Sequence, residues 1–139
     1  MEWQSDTSGF DSILRNSGRN HNAWIRAVAT EMVGDIKLSY NTSPAGRKYK
    51  RGRKYHTASV AGYPPNVDRG TLRASITSRM IGEATAEISS DQEHAVYMEF
   101  GTENIAKRPH FRPVILAWQS KIEQHYIRFN VLLRNTGLK

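Results

Sequence analysis

The sequence predicts an α+β domain, in which a small antiparallel β-sheet packs against two amphipathic helices and a long basic hairpin or loop is inserted. Three observations support this prediction. Two stretches place apolar residues three and four positions apart, a segment between them alternates apolar and polar residues, and a glycine-flanked cluster of cations precedes that segment. With 139 residues, 38% of them hydrophobic, the chain has material for one modest core.

The first amphipathic helix is predicted from about Asn20 to Tyr40. Asn20 or Asn22 is a suitable N-cap, and Pro44 requires the helix to stop near Asn41. The residues that form its apolar stripe are Ile25, Val28, Ala29, Met32, Val33, Ile36 and Tyr40. One face of this helix should therefore lie against the core.

The predicted domain covers residues 21–134. Residues 1–20 are polar and rich in Ser, Asn and Gly, which is typical of a flexible arm. Residues 135–139 are predicted to form a frayed tail. Trp3 lies in the arm, where an exposed aromatic ring is either incidental or an anchor for a neighbouring molecule.

The positive charge of the chain is concentrated in one segment. The net charge is +7, but six of the 20 basic residues lie between Arg47 and Lys54, and the remainder of the chain has 14 basic and 13 acidic residues. Residues 44–63 are therefore predicted to be an insertion, either a two-stranded ribbon turning at Arg51-Gly52 or a disordered loop. Its candidate contact residues are Arg47, Lys48, Tyr49, Lys50, Arg51, Arg53, Lys54 and Tyr55. Contact with DNA phosphates fits this composition as well as the alternative, which is a solvated loop or a loop that docks on an acidic neighbouring subunit.

A β-hairpin is predicted after the basic insertion. Residues from Leu72 to Met80 alternate, with Leu72, Ala74, Ile76, Ser78 and Met80 on one face, and Ala84, Ala86 and Ile88 alternate again after a turn at Gly82-Glu83. Residues 95–100 fit either a short helical turn or a strand, which Gly101 would end. The sheet formed here would supply the apolar surface that the helices need.

The second amphipathic helix is predicted to begin at Pro113, where a missing N–H costs nothing. Its stripe comprises Ile115, Trp118, Ile122, Tyr126, Phe129 and Leu133. Trp24 and Trp118 lie on or beside the two helical stripes and are expected in the core.

The sequence predicts no catalytic, cofactor-binding or metal-binding residues. It has no cysteine, and its five histidines, His21, His56, His94, His110 and His125, include no pair four residues apart. Glu99 with Asp91 or Glu93 is a conceivable carboxylate pair, although exposed acids explain these residues more simply. The sequence contains no glycine-rich phosphate loop, and it predicts neither a membrane span nor a secretory leader. The prediction is that the protein is not an enzyme.

Three segments carry a resemblance to a known family. The turn signature reads Gly-Tyr-Pro-Pro-Asn-Val-Asp-Arg-Gly-Thr-Leu-Arg-Ala-Ser-Ile at 62–76, the helix signature reads Tyr-Met-Glu-Phe-Gly-Thr at 97–102, and the proline signature reads Arg-Pro-His-Phe-Arg-Pro at 108–113. In order and spacing they resemble the head–tail joining proteins, also called tail-completion or minor tail proteins, of lambda-like tailed bacteriophages. Arg69 and His110 depart from the pattern of that family.

The resemblance assigns a structural role to the residues that match. They are Gly62, Pro64, Pro65, Asp68, Gly70, Leu72, Arg73, Ser75, Ile76, Tyr97, Glu99, Phe100, Gly101, Thr102, Arg108, Pro109, Phe111, Arg112 and Pro113. The glycines and prolines shape the backbone. Leu72, Ile76 and Phe100 are candidates for the core.

The resemblance implies a virion structural protein of the phage neck, assembled in the host cytoplasm. Such a protein forms a homo-oligomeric ring, with six copies favoured and twelve as the alternative, between the connector and tail-tube proteins. The ring would complete the tail end, join it to the head and leave a central passage for DNA. A basic nucleic-acid-binding domain is the alternative function, and a small ribonuclease or toxin-like enzyme is less favoured.

Overall fold

The computed structural model describes residues 10–135, with side chains described for residues 19–132, 134 and 135. The fold is α+β, as predicted, with four helices and two antiparallel two-stranded sheets in this range. In chain order the elements are α1 (Phe10–Ser39), β1 (Ala45–Arg51), β2 (Lys54–Ser59), α2 (Thr71–Ser75), β3 (Thr77–Gly82), β4 (Thr85–Ser89), α3 (His94–Phe100) and α4 (Arg112–Asn135).

Helix α1 begins ten residues earlier than predicted. Residues 10–20, assigned to a flexible arm, continue the helix, whereas residues 1–9 of that arm lie outside the described residues. Extending a helix that already exists costs little, so the polar residues 10–20 can be helical as an extension of the amphipathic part. The C-terminal end agrees with the prediction, because Asn41 has a φ of 64° and the Thr42 hydroxyl donates to the Ser39 carbonyl at 2.6 Å.

The basic insertion is a two-stranded ribbon, which we call the basic hairpin. Strands β1 and β2 pair antiparallel, with Arg51 opposite Lys54. The two-residue turn is therefore Gly52-Arg53, one residue later than predicted. Gly52 has a φ of 65°, a left-handed conformation that favours glycine in tight hairpins.

The second hairpin is shorter than predicted, because the chain forms helix α2 over residues 71–75 before β3 starts. The prediction that Leu72 and Ala74 belong to the strand is wrong. Leu72 and Ile76 are four residues apart and share a helix face as readily as a strand face, and Gly70, at φ 84°, turns the chain into the helix. The hairpin turn is Glu83-Ala84. β3 and β4 pack against α1.

The core lies where α1, the second hairpin and α4 meet. Its buried apolar residues are Val28, Ile36, Tyr40, Ile76, Val114 and Trp118, with Trp24, Met32, Val33, Val67, Leu72, Ile88 and Phe111 packed around them. α1 and α4 run antiparallel, since Trp118 Nε1 donates to Asp35 Oδ2 at 2.8 Å and Trp24 Nε1 donates to His125 Nδ1 at 3.1 Å. Both tryptophans thus lie at the helix interface.

The predicted stripe of α4 is displaced from the face that the chain buries. Val114, Trp118 and His125 are buried, whereas Ile115, Ile122 and Tyr126 are exposed. The apolar arc of α4 is wider than the surface that α1 can cover, so part of the predicted stripe stays exposed. His125 belongs to the buried face because its ring nitrogens contact Trp24 and Glu31. Among the described helices, none is long and apolar enough to cross a membrane.

Candidate functional site

Hydrogen bonds hold the three signatures together. The backbone N–H of Gly62 donates to the Lys107 carbonyl at 2.9 Å, and the backbone N–H of Arg108 donates to the Met98 carbonyl. The Arg108 guanidinium donates to the Ser59 carbonyl at 3.2 Å, which fixes the base of the basic hairpin. Segments distant in sequence therefore form one interlocked region.

Glu99 connects α3 to the N-terminus of α4. Its carboxylate accepts the backbone N–H groups of His110, Phe111 and Arg112 at 2.8, 3.0 and 2.9 Å. The side chain is 10% exposed and lies 3.3 Å from His110 Nδ1. These are N–H groups that a helix start leaves without an intrahelical partner, and a negative charge there is favourable.

Glu99 and Glu93 have separate hydrogen-bond partners. The Glu99 oxygens are occupied by the start of α4, and Glu93 Oε1 accepts the hydroxyl of Tyr97 at 2.9 Å. Hydrogen bonding to Glu93 raises the pKa of the exposed Tyr97 phenol. The role visible for Glu99 is to position α4.

Gly101 shapes the loop between α3 and the proline signature. It has φ 75° and ψ 174°, a backbone region open essentially to glycine alone, and its N–H donates to the Tyr97 carbonyl at 2.9 Å. A Cβ at this position would lie 2.9 Å from the Ile105 carbonyl oxygen. The Thr102 hydroxyl accepts the N–H of Ile105 at 3.1 Å and closes the loop.

The turn signature joins the end of α1 to the basic hairpin. The backbone N–H of Asn41 donates to the Pro65 carbonyl at 3.3 Å, and Asn41 Oδ1 accepts the N–H of Val67 at 2.7 Å. The Asn66 amide donates to the Thr57 carbonyl of β2 at 3.0 Å. Pro65 is buried. Asn41 has this bridging role although the sequence indicated only a helix end.

The remaining matched residues lie around these anchors. The Ser75 hydroxyl donates to the Leu72 carbonyl at 2.7 Å and lies 2.6 Å from the Ser90 hydroxyl, which ties α2 to the end of β4. Ile76 is fully buried, as predicted, and Leu72 packs against the core. Arg73, on α2, is exposed.

His110, a departure from the family pattern, is fully buried. Its ring makes T-shaped contacts with Tyr40, at 5.6 Å between centroids, and with Phe111, at 4.8 Å. Neither His110 Nε2 nor the Tyr40 hydroxyl has a hydrogen-bond partner among the described residues. Burial lowers the pKa of His110, with Glu99 acting in the opposite direction, and burial raises the pKa of Tyr40. A neutral imidazole therefore belongs to the folded state.

Replacing His110 by Phe is expected to reduce the loss of stability in acid. Because its pKa is lower in the folded state, His110 stabilises the fold above its ordinary pKa of about 6.5, and that contribution disappears as the pH falls through the lowered value. The test compares free energies of unfolding in urea at pH 7.5 and pH 5. His21→Gln, on the first half of α1, is the control, and an unchanged pH dependence in His110→Phe would contradict the assignment.

The basic hairpin presents its cations to solvent. Arg51 pairs with Asp68 of the turn signature, and His56 Nδ1 lies 3.8 Å from the same carboxylate, so the hairpin is tethered near its tip. The other five cations, Arg47, Lys48, Lys50, Arg53 and Lys54, are exposed and form no ion pair with described residues. Tyr55 is 74% exposed beside them, and Tyr49 stacks edge-on against His56.

A second exposed surface is an apolar groove of about 940 Å³ between α3 and the first turns of α4. We call it the α3–α4 groove. Its apolar lining includes Val96, Phe100, Phe111, Ile115 and Leu116. The sequence offered one sign of it, since Val96 and Phe100 are four residues apart in a short helix.

Phe100 was predicted to lie in the core, and this prediction is wrong, because its side chain is 75% exposed. Helix α3 buries Ala95, and Phe100 is five residues further on. At about 100° per residue, the Phe100 side chain points roughly 140° away from the buried Ala95 side chain around the helix. The most apolar residue of the helix signature thus contributes to a surface.

No group of three or more His, Cys, Asp or Glu side chains suited to a metal ion occurs among the described residues. Comparison of the chain with protein-family models, with curated proteins and with solved structures finds no match. The candidate site therefore rests on the geometry itself. It consists of two exposed surfaces, the basic hairpin and the α3–α4 groove, held by one interlocked region.

Proposed function

We propose that this chain is a structural protein of a tailed-phage neck, which forms a ring that completes the tail end and joins tail to head. The observation that supports this proposal is the interlocking of the three signatures. Their polar groups are used to hold backbone segments in place, with Glu99 on the start of α4 and Arg108 on the base of the basic hairpin. Residues used in this way build a shape for assembly.

The two exposed surfaces suit the partners of such a ring. The basic hairpin carries five exposed cations on a tethered ribbon, which fits the phosphates of DNA in a central passage or an acidic face of a neighbour. The α3–α4 groove exposes contiguous apolar side chains, which is typical of a protein–protein contact. Closed cyclic symmetry is the usual outcome for such contacts, and six copies remain our favoured number.

Inactivating the gene is expected to leave DNA-filled heads and separate tails. The physical reason is that a head can dock only on a tail whose end the ring has completed. Electron microscopy of the lysate, with the purified protein added back as the control, measures the outcome. Complete virions that fail only at infection would show that the joining role is wrong.

The basic hairpin favours one second candidate function, a nucleic-acid-binding domain. Its exposed cations beside the exposed ring of Tyr55 match contact with the DNA backbone without sequence readout. This function needs no ring, since a single copy would bind.

Under this second function, the single chain binds double-stranded DNA with an affinity that falls as salt rises. Removing one phosphate-binding cation is expected to reduce the steepness of log K against log salt by about 0.9. The test variant replaces Arg47, Lys48, Lys50, Arg53 and Lys54 by Gln and keeps Arg51, because Arg51 pairs with Asp68. Replacing five exposed cations elsewhere is the control. Equal DNA binding by the hairpin variant would exclude this function.

A further inference from the structure

The rim of the α3–α4 groove carries two cations. Lys107 and Arg112 line it, both are exposed, and neither forms an ion pair with described residues. The one carboxylate among the groove residues, Glu99, is only 10% exposed and is directed to three backbone N–H groups of α4. The charges that the groove presents to solvent beside its apolar surface are therefore mainly those of the two cations.

These features define the chemistry of a fitting partner. Val96 is 57% exposed and Leu116 is 52% exposed, so a large apolar or aromatic side chain would remove much apolar surface from water. The cations at the rim favour carboxylates on either side of that side chain. An aromatic residue flanked by acids meets both requirements.

The chain itself contains such a segment. Residues 1–9, outside the described range, include Trp3 between Glu2 and Asp6 and contain no Lys or Arg. The other end outside the described range, residues 136–139, has Leu138 beside Lys139 and would bring a cation to a cationic rim. Charge complementarity thus selects residues 1–9, which we call the acidic tryptophan segment.

The acidic tryptophan segment cannot reach the groove of its own chain. α1 and α4 are antiparallel, and Trp118, two residues after the groove-lining Leu116, contacts Asp35 near the C-terminal end of α1. Phe10 is 25 residues before Asp35, which places it about 37 Å away along the helix at 1.5 Å per residue. Trp3 lies seven positions before Phe10, so the chain between them spans at most about 25 Å. The groove that Trp3 enters must belong to another copy.

We propose that Trp3 of one copy docks in the α3–α4 groove of a second copy, with Glu2 and Asp6 facing Lys107 and Arg112. This inference rests on the proposed assembly of the chain into a ring. A head-to-tail contact of this kind uses two different surfaces of each subunit, so it propagates from copy to copy until the ring closes. Each copy then supplies one segment and receives one.

Disulfide trapping in the full chain tests the contact, because the chain has no cysteine of its own. A Gln4→Cys variant is mixed with a Ser89→Cys variant, since Ser89 lines the groove. We expect an interchain disulfide between positions 4 and 89, identified by mass spectrometry of the linked peptides. Thr30→Cys, on an exposed part of α1, replaces Ser89→Cys in the control. Equal linking to position 30, or an intrachain link in a chain carrying both cysteines, would overturn the proposal.

Two sets of substitutions test the chemistry of the contact. Trp3→Ala is expected to lower the yield of the 4–89 link at least tenfold, whereas Trp3→Phe keeps most of it. Lys107→Glu with Arg112→Glu is expected to lower the yield, and Glu2→Lys with Asp6→Lys in the other copy to restore it. Failure of this rescue would contradict the assigned charge pairing.

The trapping result is distinguishable from the outcome for the neck function. If sedimentation shows a closed oligomer and gene inactivation leaves separate heads and tails, but positions 4 and 89 do not link, the docking proposal is wrong and the neck function stands. If the 4–89 link forms but gene inactivation leaves head–tail joining intact, the docking contact stands and the neck function is wrong. A partner protein that protects the groove without any 4–89 link would assign the groove to that partner.

Discussion

Replacing Glu99 by Ala is expected to lower the free energy of unfolding by about 3 kcal/mol. The substitution removes an almost buried carboxylate that accepts three backbone N–H groups at the start of α4. It also removes the negative charge that favours this end of the helix. Because α4 supplies Trp118 and Val114 to the core, a loosened helix start also weakens the packing behind it.

The Glu99 prediction has two matched comparisons. Glu99→Gln keeps the shape of the side chain and one good acceptor, so about half of the loss is expected. Glu93→Ala removes an exposed acid from the same region and breaks only the contact with Tyr97, for which a change within about 0.5 kcal/mol is expected. Urea denaturation at pH 7 measures all three. If Glu99→Ala lowers the free energy of unfolding by much less than expected, the start of α4 is held by other contacts.

Replacing Gly101 by Ala is expected to cost a similar amount, about 3 kcal/mol. Two independent effects add. The backbone at φ 75° and ψ 174° is strained for any residue with a Cβ, and that Cβ would lie 2.9 Å from the Ile105 carbonyl oxygen and 3.0 Å from the Lys107 nitrogen. Relief requires the loop to move, and Lys107 is hydrogen-bonded to Gly62 of the turn signature.

Gly34→Ala is the matched control for Gly101→Ala. Gly34 lies inside α1 and has no atom within 4 Å of its would-be Cβ. Alanine is the better helix former, so this variant is expected to gain about 0.5–1 kcal/mol. Thermal and urea denaturation should show that the free energy of unfolding falls in Gly101→Ala and rises in Gly34→Ala. A neutral Gly101→Ala would show that the loop adjusts freely.

The parts of the fold that were predictable depend on regular periodicity or on turn chemistry. The stripe from Val28 to Tyr40 identified the buried face of α1, because a long helix repeats its pattern several times. Gly52 and Gly101 marked chain reversals that the backbone of other residues resists. The α+β class followed from these local signals.

The parts that were not predictable depend on which surfaces meet. Leu72 alternated with polar residues over a run too short to separate one helical turn from a strand. Phe100 is apolar, but the short α3 has its buried side fixed by Ala95. Glu99 reaches α4 only because the loop after Gly101 folds back. No spacing of residues in the sequence indicates that contact. The sequence contains one sign of the groove, the spacing of Val96 and Phe100, but only the structure shows that α3 and α4 line it together.

The pairing of α1 with α4 has a consequence for synthesis on the ribosome. Asp35 and Trp118 are 83 positions apart, and Trp24 and His125 are 101 apart, so the helix interface joins the two ends of the described chain. The two hairpins close locally and early, and β3 and β4 cover part of the apolar face of α1, but the rest of that face stays exposed until α4 is translated. A chain shortened before α4 would leave this part uncovered, and we expect such products to be bound by chaperones or degraded. Completion of the last helix thus acts as the step that makes the subunit competent to fold.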